Sequence, residues 1–296
     1  MKRQGLLQTI GNTPIIGLNN MLSGKGTHLF AKLESRNPGG SIKDRAALYM
    51  IEQAEARGEL DKSRTIIEAT SGNMGIALTI VGTCKGYRVQ IVMSEQMSRE
   101  RQMMVRALGA ELILTDGQLG TKGAIQRARE IVGDNPDTYW FADQFNNPDN
   151  AKAHYLGIAE EIQRDVRPVE ALVVGVGTGG TIMGLARRFR AESPRTRIIG
   201  VIPTKGYRIQ GLQHPTEDFS GDIYDPDMID ELICVTAEEA FETTRNVAVT
   251  EGLFVGMSSG ATLCAARRIN HSFRHGNVVV ILPDGGEKYL STNLYG

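Results

Sequence analysis

The sequence predicts an α/β protein of two doubly wound, open domains with a cleft between them. Short apolar runs alternate with amphipathic stretches of about 10–15 residues, the pattern of parallel βαβ units. The runs are also too many for one sheet. A turn-rich segment, Gln144-Phe145-Asn146-Asn147-Pro148-Asp149-Asn150, divides them into two groups.

In chain order, Lys43–Ala56 reads as a helix, 89–93 as a strand, 98–108 as a helix, 111–114 as a strand and 122–132 as a helix. Beyond the turn-rich segment, 171–176 reads as a strand, 181–192 as a helix and 197–202 as a strand. A short strand at 253–255, a helix at 261–269 and a strand at 278–282 follow. One domain then uses residues 41–146; the other uses 1–40 plus 147–296. Ligands of open α/β folds bind beyond the carboxyl ends of strands, so the cleft is the expected site.

Composition narrows the function classes. A chain of 296 residues, 41% hydrophobic and 23% charged, can bury a large core. A net charge of −1 offers no electrostatic case for nucleic acid or an anionic membrane. The basic cluster Arg187, Arg188 and Arg190 reads as a solvated helix face. No apolar run reaches membrane-spanning length, and Met1-Lys2-Arg3-Gln4-Gly5 precedes no apolar segment, so a cytoplasmic protein is expected. Cys84, Cys234 and Cys264 lie in apolar stretches and read as buried thiols. His271 and His275 are spaced as H-x-x-x-H, but Ser272 and Arg274 between them argue against a metal, and none is expected.

The chemistry concentrates in glycine-rich segments. Pro38-Gly39-Gly40-Ser41-Ile42-Lys43 puts a lysine just after two glycines at a helix start. The glycines admit close approach of a ligand, and the helix N-terminus disfavours an ammonium, as a lysine nucleophile requires. Gly175-Val176-Gly177-Thr178-Gly179-Gly180-Thr181 follows a strand and opens a helix, which makes a phosphate cradle. The string also satisfies G-x-G-x-x-G, but the next strand runs into Pro203-Thr204-Lys205 instead of ending on an acid, so a nicotinamide dinucleotide is the weaker reading. No G-x-x-x-x-G-K-[ST] occurs. Gly256-Met257-Ser258-Ser259-Gly260 reads by itself as a serine helix cap, and Pro283-Asp284-Gly285-Gly286-Glu287-Lys288 by itself as a loop.

Together with Thr70-Ser71-Gly72-Asn73, Gly11-Asn12-Thr13-Pro14 and Met97-Ser98-Arg99-Glu100-Arg101, these segments resemble the fold-type II pyridoxal-phosphate enzymes of the cysteine synthase family, most closely its B-type O-acetylserine sulfhydrylases. The resemblance covers essentially the whole chain. It implies two open α/β domains related to the tryptophan synthase β subunit, the smaller one mobile, and pyridoxal 5'-phosphate carried on Lys43, which also serves as the base at Cα. It implies that Asn73 meets the ring hydroxyl oxygen, that Gly177, Thr178, Gly179, Gly180 and Thr181 hold the phosphate, and that Ser258 meets the pyridine nitrogen. Thr70, Ser71, Gly72, Asn73 and Gln144 would hold the substrate carboxylate. The implied reaction is β-replacement of O-acetyl-L-serine by sulfide or another sulfur donor through an α-aminoacrylate, in a homodimer.

Two positions depart from the family pattern. Met74 stands where T-S-G-N-T-G has a second threonine, which removes a hydroxyl expected to help hold the carboxylate. In Arg208-Ile209-Gln210-Gly211-Leu212-Gln213-His214, Gln213 and His214 replace arginines of B-type relatives, with Arg208 a candidate substitute. The alternatives are related chemistry on the same lysine (cystathionine β-synthase, cysteine desulfhydrase or β-cyanoalanine synthase) and a non-catalytic amino-acid-binding homologue.

Overall fold

The computed structural model describes residues 5–21, 26–215, 221–269 and 275–296. His271 therefore lies outside the described residues, as do Met1–Gln4.

Two sheets form. Strands β1 (Ile15–Gly17) and β2 (Thr27–Leu33) precede helix α1 (Lys43–Ala56). A four-stranded parallel sheet follows, in the order β5-β4-β3-β6. It comprises β3 (Thr65–Ala69), β4 (Arg88–Ser94), β5 (Glu111–Thr115) and β6 (Tyr139–Phe141), linked by α2 (Asn73–Lys85), α3 (Arg99–Ala107) and α4 (Gly120–Asp134). The chain then crosses through α5 (Pro148–Leu156) and α6 (Ile158–Asp165) to β7 (Ala171–Gly175), α7 (Gly180–Glu192), β8 (Arg197–Pro203), β9 (Glu231–Val235), α8 (Ala237–Glu251), α9 (Met257–Ile269) and β10 (Gly276–Leu282). These strands join the first two in a six-stranded sheet, β1-β2-β10-β7-β8-β9.

Strand composition follows from burial on both faces. Along β10, Val278, Val280 and Leu282 pack with α8 and α9, whereas Val279 and Ile281 pack with α5, α6 and α7. Alternate residues point to opposite faces, so a strand covered on both sides must be apolar throughout. In β3, Ile66 faces the α1–α2 side and Ile67 and Ala69 face α4. The edge strand β1 runs antiparallel to β2, which makes the larger sheet mixed.

Three expectations are corrected. The cysteines are not buried: Cys84 and Cys234 are exposed and Cys264 is half-buried. Cys84 sits in the last turn of α2, and Cys234 points outward from the edge strand β9, so an apolar neighbourhood in sequence did not translate into cover. Residues 253–255 form no strand; Val255 makes a single bridge to Gly285. Helix α9 starts at Met257, so Ser258 and Ser259 lie inside its first turn.

The ends that matter converge. Ser41 bridges Asp284, and Ile42 N–H donates to Pro283 O at 2.9 Å, so the start of α1 is sewn to the exit of β10.

Candidate active site

Lys43 opens α1 beyond the carboxyl ends of the strands. It keeps some solvent contact in the cleft, yet protein encloses it enough that desolvation lowers its pKa to about 8, against the opposing pull of Glu68. About a tenth of the amine is then neutral at pH 7, far more than for an ordinary lysine.

The first turn of α1 is held from behind. Arg45, two residues on, donates to Glu34 at 2.6 and 2.9 Å and to Glu161 at 2.7 and 2.8 Å, and Lys32 donates to Glu161 at 2.5 Å. In this buried cluster the Glu161 carboxyl, despite desolvation, drops to about 2 because Arg45 and Lys32 face it. The glycines ahead of Lys43 are held by Lys288, whose Nζ donates to Gly39 O at 2.9 Å, Gly40 O at 3.0 Å and Asn73 Oδ1 at 3.2 Å.

The loop Thr70–Asn73 leads from β3 into α2. Thr70 Oγ1 accepts from Gly72 N at 3.0 Å, which folds the hydroxyl back into its own loop. Ser71 is half-buried. Gly72 has φ +147°, and a Cβ there would collide with Arg101, so only glycine lets that guanidinium lie against the loop. Asn73 Nδ2 donates to Asp284 Oδ2 at 2.7 Å. Gln144 sits beneath: its N and Nε2 donate to Glu68 at 3.4 and 3.3 Å, and Nε2 reaches Ala69 O at 3.3 Å. Burial, and then the nearby Asp143, raise Glu68 to about 8.

The turn from β7 to α7 carries Gly177, Thr178, Gly179, Gly180 and Thr181. Thr178 and Thr181 are buried, and Thr181 Oγ1 lies 3.4 Å from His154 Nε2. Burial first, then Lys43 and Arg45, hold His154 well below its usual value, so its ring is neutral. Gly211 packs on Ser258, with Ser258 Oγ 3.5 Å from where a Cβ at 211 would lie, and a Cβ at 177 would come within 2.6 Å of Gly211 O. The structure therefore gathers Gly177 and Ser258 around Gly211.

Met74 is 1% exposed and belongs to the apolar cluster that also holds Ala46, Ala47 and Met50 of α1. Arg208 is exposed, whereas Arg101 is buried and donates to Gln210 Oε1. Glu68, Arg101, Asn150, His154, Asp284 and Lys288 have no role that the sequence motifs predict. Glu68 carries a detectable signal, an acid inside the apolar run Ile66-Ile67-Glu68-Ala69. The others come together only through long-range contacts.

Helices α2 and α7 both start at this cleft, behind the glycine N-caps Gly72 and Gly179, which have no side chain to cap them. Helix starts of this kind favour anionic oxygens. Two such starts, with an amine of lowered proton affinity in the same cleft, fit an aldehyde that bears a phosphate together with a carboxylate substrate. This fold and donor set define a pyridoxal-phosphate enzyme of fold-type II, and the family described as "Pyridoxal-phosphate dependent enzyme" matches residues 6–284.

The chain is 43% identical to cysteine synthase B of Escherichia coli (strain K12) over 293 residues, which cover 98% of this chain and 96% of that one. It is 41% identical to cysteine synthase A of the same strain over 305 residues, covering 97% and 94%. The crystal structure of O-ureido-L-serine synthase matches with a TM-score of 0.94 at 38% identity, over 100% of this chain and 96% of that chain. The chain belongs to the cysteine synthase family of pyridoxal-phosphate enzymes, with only a marginal lean toward the B type.

Proposed function

We propose that this protein is an O-acetylserine sulfhydrylase, converting O-acetyl-L-serine and sulfide into L-cysteine and acetate. The supporting observation is Lys43: a lysine of lowered pKa at a helix start, in a cleft with two helix N-termini that begin behind glycines. Pyridoxal phosphate, when bound, supplies the electron sink that acidifies Cα–H and lets the β-substituent leave.

In this reading Lys43 holds the cofactor and, once freed by substrate, takes the Cα proton on Nζ. The turn Gly177, Thr178, Gly179, Gly180 and Thr181 binds the phosphate. Ser258 meets the ring nitrogen with a neutral hydroxyl, which does not enforce a ring charge and so favours β-replacement over transamination. Thr70, Ser71, Gly72, Asn73 and Gln144 bind the carboxylate, with Asn73 also serving the ring oxygen. Residues 41–146 form the lobe that closes over substrate and excludes water. The assembly is a homodimer.

The test supplies cofactor-loaded protein with O-acetyl-L-serine and sulfide and measures cysteine and acetate. Release of acetate with stoichiometric cysteine is expected. Faster cystathionine formation from L-serine and homocysteine, or no turnover despite bound cofactor, overturns the reading. The similarity to O-ureido-L-serine synthase supports one further assay, for O-ureido-L-serine.

A further inference from the structure

Asn150 is fully buried on α5, at the end of the turn-rich segment that begins with Gln144, and no site assignment uses it. Its Nδ2 donates to Gln144 O at 2.7 Å and to Thr178 Oγ1 at 3.0 Å. The carbonyl of Gln144 can only accept, so it fixes which end of the Asn150 amide faces the turn. Thr178 Oγ1 also accepts from Gly180 N at 3.3 Å. A hydroxyl has two acceptor sites and one proton. Both acceptor sites of Thr178 are filled, so its proton must donate to something else.

We propose that Asn150 is a positioning residue that polarises Thr178, turning its hydroxyl into an obligatory donor toward a phosphate oxygen and locking the phosphate turn to Gln144. Asn150 Oδ1 is buried without a partner and stands where a Cβ at 180 would collide with it. The amide is thus packed flat on the turn. The same side chain ties that turn to Gln144 and, through it, to Glu68 at the end of β3. One buried chain of hydrogen bonds therefore runs from the six-stranded sheet to the four-stranded one. Filling the phosphate turn would thereby order the residue assigned to the substrate carboxylate.

The inference rests on the reading of the Gly177–Thr181 turn as the phosphate site, and the test separates the two. The full-length protein, stripped of cofactor, is titrated with pyridoxal phosphate and with pyridoxal, which lacks the phosphate, while the visible absorbance is followed. Asn150→Asp keeps the size of the side chain but accepts only, so Thr178 turns to donate to it and a negative charge faces the phosphate. Its affinity for pyridoxal phosphate should fall about 10- to 100-fold, the range for losing a hydrogen bond to a charged group. Pyridoxal affinity should stay within about twofold, and Asn150→Ala should weaken pyridoxal phosphate less than Asn150→Asp does. Adding Thr178→Val to Asn150→Asp should produce little further loss.

Packing alone predicts the reverse order, because alanine leaves a cavity and aspartate does not. An alanine variant as weak as the aspartate variant, or parallel loss of both ligands, would overturn the proposal. If Asn150→Asp does not fold, Asn150→Ala alone decides: selective loss of pyridoxal phosphate supports it, and unchanged affinity ends it. A wild-type protein that binds both ligands equally would instead remove the phosphate reading of the turn.

Discussion

Asn73 Nδ2 lies 2.7 Å from Asp284 Oδ2, a contact that joins the start of α2 in the four-stranded half to the exit of β10 in the six-stranded half. Asp284 Oδ2 also accepts from Tyr289 Oη at 2.8 Å and stands 3.8 Å from Arg101 Nη2, whose guanidinium lies 4.4 Å over the Tyr289 ring. Asp284 and Arg101 are 1% and 2% exposed, so each desolvated charge depends on the other. Asp284→Ala should destabilise the protein by about 3–5 kcal/mol, the range for breaking a buried pair. Changing Arg101→Met in the same chain should recover part of the loss. Denaturant titration of the single and double variants checks this.

Lys43, lowered to about 8, should react with acetic anhydride in the cofactor-free protein at a rate that rises with pH and levels off above about 8. Glu68 raises this value once it ionises, itself at about 8, so Glu68→Gln should lower it further and speed labelling at about pH 8. Peptide mapping reads both, and an unshifted profile would remove Glu68 from the electrostatics of the site.

Lys43→Ala should abolish covalent attachment of the cofactor. Borohydride reduction of the wild-type protein should leave the label on Lys43. Lys288 is the informative competitor, because burial lowers its pKa as well and it stands beside Asn73. Label on Lys288 would reassign the site.

Met74→Thr should destabilise without tightening O-acetyl-L-serine. The side chain is 1% exposed within a large apolar cluster, so the new hydroxyl meets apolar surroundings and leaves unfilled volume. The expected loss is about 2–4 kcal/mol, below the upper range for truncating a buried methionine. A lower KM with unchanged stability would place position 74 at the cleft instead.

Glu161 should make the protein acid-sensitive. Its carboxyl falls from the usual 4.5 to about 2 when Arg45 and Lys32 face it, against the desolvation that opposes the change. The folded state then binds fewer protons than the unfolded one. Its contribution is fully present above about pH 4.5 and is lost as pH falls through about 2. Glu161→Gln should lower stability at pH 7 and flatten this part of the pH profile, which thermal melts at stepped pH measure.

Much of the scaffold could be read from local pattern. Helix α1 spans the predicted Lys43–Ala56, and β7, α7, β8 and β10 lie within a few residues of expectation, because strands covered on both faces leave uninterrupted apolar runs. Strand β6 is three residues long, too short for periodicity to mark. The antiparallel edge strand β1 is set by its pairing with β2 and not by its composition. Cys234 misled because β9 is an edge strand whose alternate residues face outward.

By itself, the sequence determined the two-sheet α/β plan, the lysine at a helix start and the two glycine loops, since each is written in contiguous residues whose backbone needs are local. Tertiary structure alone decided that Asp284, Lys288 and Arg101 surround Asn73, that Met74 is buried, and that Asn150 orients Thr178. Those outcomes depend on charges and amides brought together from distant segments, where burial makes every unmet hydrogen bond expensive and so selects one arrangement.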